Sequence, residues 1–217
     1  RDAAVKAGAP ENCIQFIEKP SMEGTHALMN HDGVATILAT GGNAMVRAAY
    51  SCGKPALGVG AGNVPAYVHK DAKLKQAVND IVLSKAFDNG MICASEQAAI
   101  VDKELYDEFV KIMKSHRVHF VTKEEKAKLE KLLFGVEANS ENCAGAKLNS
   151  VIVGKPATEI AKLAGFEVPK GTVILAAECS EVGVKEPLTR EKLSPVLAVL
   201  KSTSTEDGIE KSRQMVE

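Results

Sequence analysis

The sequence predicts an α/β protein whose sheets are parallel. Two observations carry this: a strand–turn–helix–strand succession early in the chain, and a continued alternation of short apolar runs with amphipathic helices. Residues 36–39 form a short apolar run that feeds into Thr40-Gly41-Gly42-Asn43. Residues 44–50 read as a helix broken by Gly53 and Pro55, and a second apolar run follows at 56–59. That order is a βαβ unit, although its helix is near the lower length limit for a parallel crossover.

Beyond Pro65 the period changes. Leu74, Ala77, Val78, Ile81 and Val82 recur at helical spacing, Asp71 is placed to cap that helix, and Phe87-Asp88-Asn89-Gly90 reads as the turn that ends it. A strand is expected at 98–101. It is followed by a helix capped by Asp102, with Leu105, Phe109, Ile112 and Met113 inward. Thr122 and Glu125 form a capping box ahead of Leu129, Leu132 and Leu133. Further strands are expected at 151–153, 173–175 and 196–200, with a helix at 158–164 that stops at Gly165. There is no internal repeat and no low-complexity segment.

Composition narrows the function classes. Of 217 residues, 45% are hydrophobic and 25% charged, enough apolar material for a sizeable soluble core. A net charge of -1 gives no reason to expect nucleic acid or an anionic membrane as partner. No apolar run approaches the ~20 residues of a membrane span, and the opening RDAAVKAGAPE has no signal-peptide core. Five cysteines (Cys13, Cys52, Cys93, Cys143 and Cys179) without a C-x-x-C pair argue against a disulfide framework and a structural zinc site. His116 and His119 lack a third ligand at suitable spacing, so no metal is expected. A reduced, cytoplasmic setting is the better expectation. The chain starts at Arg1 rather than Met, with 2–7 reading as the tail of a helix, and 208–217 stop inside another. A piece of a longer polypeptide is therefore expected.

Three places could carry chemistry. Glycines where a strand turns into a helix, as at Thr40-Gly41-Gly42, let the backbone approach a phosphate at a helix N-terminus, though an isolated Gly-Gly is also an ordinary tight turn. Gly58-Val59-Gly60-Ala61-Gly62-Asn63 runs into Val64-Pro65 rather than a helix, so it reads as a hinge, a ligand-facing loop, or both. Cys93, in FDNGMICASEQ, follows a turn and precedes small or polar residues, an accessible setting for a thiolate. A lone cysteine beside Ile92 is still more often a buried apolar residue, and no local base marks it out.

A resemblance adds to this reading. The blocks ILATGGNAMVRAAYSCGKPALGVGAGN, FDNGMICASEQ, IVGKPATEIAKLAGFEVP and EKLSPVLAV, in this order, cover nearly the whole chain. They resemble the aldehyde dehydrogenase superfamily, most closely its coenzyme A-acylating branch and the aldehyde dehydrogenase half of bifunctional aldehyde–alcohol dehydrogenases. The resemblance implies an aldehyde dehydrogenase-like fold. Residues 1–63 would be the C-terminal part of an NAD-binding domain, and 64–217 a catalytic domain lacking its C-terminal end. It also implies that Cys93 is the nucleophile, that Thr40, Gly41, Gly42, Gly60 and Gly62 lie against NAD, and that Glu191 binds the nicotinamide ribose.

Hydrolytic members carry a glutamate base in a motif of the form ELGGKSP. Aligned on Pro65, its position falls on Val59. Without a carboxylate there, the cysteine thioester should last long enough for another thiol, coenzyme A, to take the acyl group. The implied reaction interconverts a short aldehyde such as acetaldehyde, coenzyme A and NAD with acetyl-CoA and NADH, a step of alcohol fermentation. With the oxyanion-stabilising asparagine expected upstream of Arg1, the 217 residues alone are expected to be inactive. The rival expectations are a glutamyl-phosphate reductase of the same fold, and a module for homo-oligomer or filament assembly using strands within 147–153 or 195–200.

Overall fold

The computed structural model of the chain describes residues 1–136 and 145–217; Cys143 lies outside them. They divide into two units, Arg1–Ala61 and Gly62–Glu217.

The first unit holds α1 (Asp2–Lys6), α2 (Met22–Asn30), β1 (Ile37–Thr40), α3 (Asn43–Ser51) and β2 (Ala56–Val59). The βαβ reading holds: β1 and β2 pair in parallel, with Ile37 opposite Ala56 and Thr40 opposite Val59. Ile37, Ala39, Ala49 and Met29 form its small core. The opposite face of the pair is open, with Leu38 and Leu57 exposed, as strand alternation requires when one face alone is covered. Helix α2 was not foreseen; its start is marked by Ser21, whose hydroxyl accepts from the Gly24 N–H at 3.0 Å.

The second unit is a three-layer sandwich. Its elements are β3 (Pro65–Val68), α4 (Leu74–Ala86), β4 (Ala98–Asp102), α5 (Lys103–Ser115), β5 (Val118–Phe120), α6 (Lys123–Phe134), α7 (Ala157–Ala164), β6 (Ile174–Cys179), β7 (Val196–Ser202) and α8 (Thr205–Val216). The sheet order is β3-β4-β7-β6-β5, and every pair is parallel. Alternate residues of the central strands enter two cores. Ala98, Ile100, Leu175, Ala177, Val196, Ala198 and Leu200 pack with α6, α7 and Met215 of α8. Ala99, Val101, Ala176, Leu197 and Val199 pack with α4 and α5 on the other face. Burial on both faces explains why these strands read as continuous apolar runs.

Several local expectations hold. Thr122 Oγ1 accepts from the Glu125 N–H at 3.2 Å while Glu125 Oε2 accepts from the Thr122 N–H at 2.8 Å, a complete capping box. Gly165 ends α7 in the left-handed region at φ 82°. Others are corrected. Asp71 does not cap α4, which begins one turn later behind Lys73; Asp71 sits in a turn where its own N–H donates to His69 Nδ1. Asp102 does occupy the position before α5, yet its carboxylate leaves the helix uncapped. It accepts instead from Tyr67 Oη at 2.7 Å, the Lys70 N–H at 2.8 Å and Ser202 Oγ at 2.6 Å. The apolar run at 151–153 is a 3-10 turn (Ser150–Ile152) rather than a strand, because Asn149 Oδ1 accepts from the Val151 N–H and curls the chain. Strand β5, three residues long, is too short to show a period, and β3 opens on Pro65, which reads as a break rather than the first residue of a strand. The strand expected within 195–200 is β7, paired with β4 on one side and β6 on the other.

Asp102 ties β3, β4 and β7 together. Burial pushes its carboxyl up, but hydrogen bonds from Ser202, Tyr67 and the Lys70 N–H outweigh that and hold it below its ordinary value. Its contribution is therefore present above the unfolded pKa of about 4 and is lost as pH falls through the folded value. Asp102→Ala is expected to lower stability by about 3 kcal/mol and the melting temperature by roughly 6–12 °C, and to flatten the acid limb of a stability–pH curve. Thermal unfolding across pH checks both.

Candidate active site

In the first unit, Thr40, Gly41 and Gly42 form the turn from β1 into α3, and all three are exposed. The Gly41 N–H donates to the Val59 carbonyl at 3.1 Å, so the turn is pinned to the end of the neighbouring strand. Gly42 is the residue before α3, and no side chain caps the helix there. Its first N–H groups can therefore be given to an anion. Gly60 follows β2, and a Cβ on it would stand 2.8 Å from Asn43 Oδ1 at the same helix start. Thr40, Gly41, Gly42 and Gly60 thus surround one helix N-terminus.

In the second unit, three loops enter the amino ends of adjacent strands: Gly62 precedes β3, Cys93 precedes β4 and Glu191 precedes β7. They converge. A Cβ on Gly62 would lie 3.6 Å from the Cys93 carbonyl, and the Gly62 N–H pulls on the Glu191 carboxylate. Burial pushes the Glu191 carboxyl up, and this outweighs the downward pulls of that N–H and of Lys192 and Lys85.

Cys93 itself is exposed. It follows a turn in which Asp88, Asn89 and Gly90 are all left-handed, at φ 48°, 50° and 67°. Two such residues other than glycine in succession store strain that the surroundings must hold. They do: Asn89 Nδ2 donates to the Gly154 carbonyl at 2.9 Å, the Gly154 N–H donates to the Leu193 carbonyl at 3.2 Å, and Gly90 packs on Ser194. Leu193 is left-handed too, at φ 46°. The other described cysteines differ in setting. Cys13 is exposed outside any such constellation, Cys52 is half-buried, and burial pushes the Cys179 thiol up to about 12.

Sequence reasoning missed the polar layer under this turn. Lys85, Gln97, Lys192 and Ser194 are fully buried, and Ser95 nearly so. Gln97 Oε1 accepts from Lys85 Nζ at 3.3 Å and from the Lys192 N–H at 3.1 Å, while Lys192 Nζ donates to the Gln97 carbonyl at 3.0 Å. One signal was available: Lys85 continues the inward Val78–Ile81/Val82 stripe of α4. Asn63 was also missed. Its Nδ2 donates to the Thr189 and Met215 carbonyls, both at 2.9 Å, and anchors the start of β3. Among the described residues no three potential metal ligands cluster, and no helix is long and apolar enough to cross a membrane.

Residues 2–212 match the aldehyde dehydrogenase family. The chain belongs to that family. A Streptococcus pneumoniae (serotype 4) aldehyde-alcohol dehydrogenase is 75% identical over all 217 residues, which span 25% of that relative's length. A solved acetylating aldehyde dehydrogenase from Geobacillus thermoglucosidasius is 43% identical, with a TM-score of 0.88 over 99% of this chain and 45% of its own. A Rhodopseudomonas palustris propionaldehyde dehydrogenase, solved with bound CoA and an acylated cysteine, is 29% identical with a TM-score of 0.86, covering all of this chain and 47% of its own. The chain therefore spans about a quarter of the length of the curated relative and under half of the solved ones.

Gly90 gives this site a direct test. A Cβ there would sit 2.5 Å from the Ser194 carbonyl oxygen, in a backbone region that already disfavours side chains. Gly90→Ala is expected to cost about 2 kcal/mol or more and to displace the turn that carries Cys93. Chemical denaturation, together with the alkylation rate of Cys93, checks it; unchanged values of both would contradict the packing described.

Proposed function

We propose that these residues are the part of a longer cytoplasmic enzyme that interconverts a short aldehyde, coenzyme A and NAD with acyl-CoA and NADH through a thioester on Cys93. The observation that carries the reading is the meeting of an exposed Cys93, on its strained turn, with Gly62 and Glu191 at the amino ends of adjacent strands.

Cys93 as thiolate adds to the aldehyde carbonyl, forming a carbon–sulfur bond and a thiohemiacetal oxygen. A nicotinamide cofactor, when bound, accepts the hydride that leaves this carbon. The product on the protein is a Cys93 thioester, and the thiolate of coenzyme A attacks it, releasing acyl-CoA and regenerating Cys93. In reverse, acyl-CoA acylates Cys93. The position of a water-activating glutamate in hydrolytic relatives is Val59 here, which gives water no base and leaves the thioester to the second thiol.

The residues present suit a dinucleotide. The uncapped start of α3 behind Thr40, Gly41 and Gly42 offers N–H groups to a phosphate. Gly60 and Gly62 let these loops pack closely where a side chain would meet Asn43 Oδ1 and the Cys93 carbonyl. Glu191, partly exposed, is available to accept from ribose hydroxyls.

In the complete polypeptide, Cys93→Ser is expected to reduce acetaldehyde-dependent NAD reduction by at least about 10³-fold. The wild type should require coenzyme A, and phosphate should not replace it. Turnover with phosphate in place of coenzyme A would instead favour acyl-phosphate chemistry. The isolated 217 residues are expected to show no acetaldehyde oxidation in a nicotinamide absorbance assay; measurable turnover would show that they are a sufficient enzyme.

A further inference from the structure

The buried layer below Cys93 contains two lysines that the proposed chemistry does not use. Lys85 ends the inward face of α4, directly before the strained turn. Lys192 follows Glu191. Both side chains are fully buried and both reach Gln97. Gln97 Oε1 accepts from Lys85 Nζ and from the Lys192 N–H together, so a single amide oxygen links the root of the Cys93 turn to the residue beside Glu191. Lys192 Nζ closes the far side of the link, donating to the carbonyls of Gln97 at 3.0 Å, Leu188 at 2.6 Å and Arg190 at 2.8 Å.

We propose that Lys85, acting through Gln97 and Lys192, is a positioning residue that sets Glu191 against the nucleophile turn and so tunes nucleotide binding with pH. The inference rests on the proposed role of Glu191 in holding the cofactor.

The charges around Lys85 explain why it, and not Lys192, is the variable member. Three carbonyls around Lys192 Nζ match the three hydrogens of an ammonium, although burial first and then Lys85 push it below its ordinary value. Lys85 has one amide acceptor. Burial pulls it down to about 7, against the attraction of Glu96 and Glu191. Below neutrality the Lys85 ammonium draws on the Glu191 carboxylate and binds Gln97 through a charge-assisted hydrogen bond. Above neutrality both pulls weaken, and Lys85 no longer adds to what Lys192 and the Gly62 N–H exert on Glu191. The charged groups facing Lys85 are Glu96, Glu191 and Lys192, and protonation of Lys85 alters the balance among all three.

The test measures NADH affinity of the complete polypeptide by nucleotide fluorescence at pH 6 and pH 8.5, with acylation of Cys93 by acetyl-CoA followed separately by peptide mass spectrometry. Wild type is expected to bind NADH several-fold differently at the two pH values. Lys85→Met should abolish that difference while Cys93 still becomes acylated. Gln97→Glu gives Lys85 a fixed anionic partner, keeps it protonated, and should abolish the difference even if the methionine variant fails to fold. A wild-type pH difference that persists in both folded variants, or in Gln97→Glu alone where the other is unfolded, would overturn the proposal. So would a pH-independent wild type. Failure of wild-type Cys93 to take an acyl group would count instead against the proposed function, and leave the binding readout to judge Lys85 by itself.

Discussion

The candidate site depends on the contact between two loops, one entering β4 and one entering β7. These strands are neighbours in register, Ala98 opposite Ala198, so the residues just before them run side by side. Gly90 rests on the Ser194 carbonyl, with no room for a Cβ between them. Gln97 and Lys192 bind each other through main-chain and side-chain groups at once. The left-handed residues Asp88, Asn89 and Leu193 are tolerated because both loops are held by the same neighbours. Freed from that contact, the turn carrying Cys93 would relax toward ordinary backbone, and its relation to Gly62 and Glu191 would go with it.

The placement is unusual for a parallel sheet. Ligands of open α/β sheets are generally held at the carboxyl ends of strands. Here Gly62, Cys93 and Glu191 all lie at amino ends, on β3, β4 and β7. What makes the amino end workable is the buried polar layer beneath it: the side chains of Ser95, Gln97 and Lys192 bind the carbonyls of Gly90, Ser95, Leu188 and Arg190 and the Lys192 N–H, loop backbone that would otherwise be buried without partners. The arrangement gives an exposed thiol a firm floor. In the proposed reaction, where Cys93 meets first an aldehyde and then a second thiol, access from outside and fixed geometry from beneath are both needed.

Much of this was legible in the sequence, and the gaps have physical causes. Alternation of apolar runs with helical stripes gave the α/β class, the βαβ unit and the capping box at Thr122, because those signals are local. Strand order is not local, so nothing in the residues alone places Glu191 beside Cys93, nearly a hundred positions away. Asp71 and Asp102 illustrate the same limit. Either could cap a helix on local grounds; Asp71 lies in a turn before α4, and Asp102 is claimed by Tyr67, Lys70 and Ser202 from other elements. Lys85 was visible as a lysine in phase with Val78 and Ile81, but a buried lysine reads as an error in a stripe until its partner, Gln97, is in place. Cys93 was the reverse case: composition favoured burial, the motif favoured a nucleophile, and the structure leaves it exposed.

The most direct test of Cys93 as the nucleophile is alkylation of the complete polypeptide by iodoacetamide near neutral pH, read peptide by peptide across the five cysteines of these 217 residues. Selective labelling of Cys93, suppressed by prior incubation with acetyl-CoA, is the predicted result. Labelling spread evenly over Cys13, Cys52 and Cys93, with no protection by acetyl-CoA, would contradict the assignment.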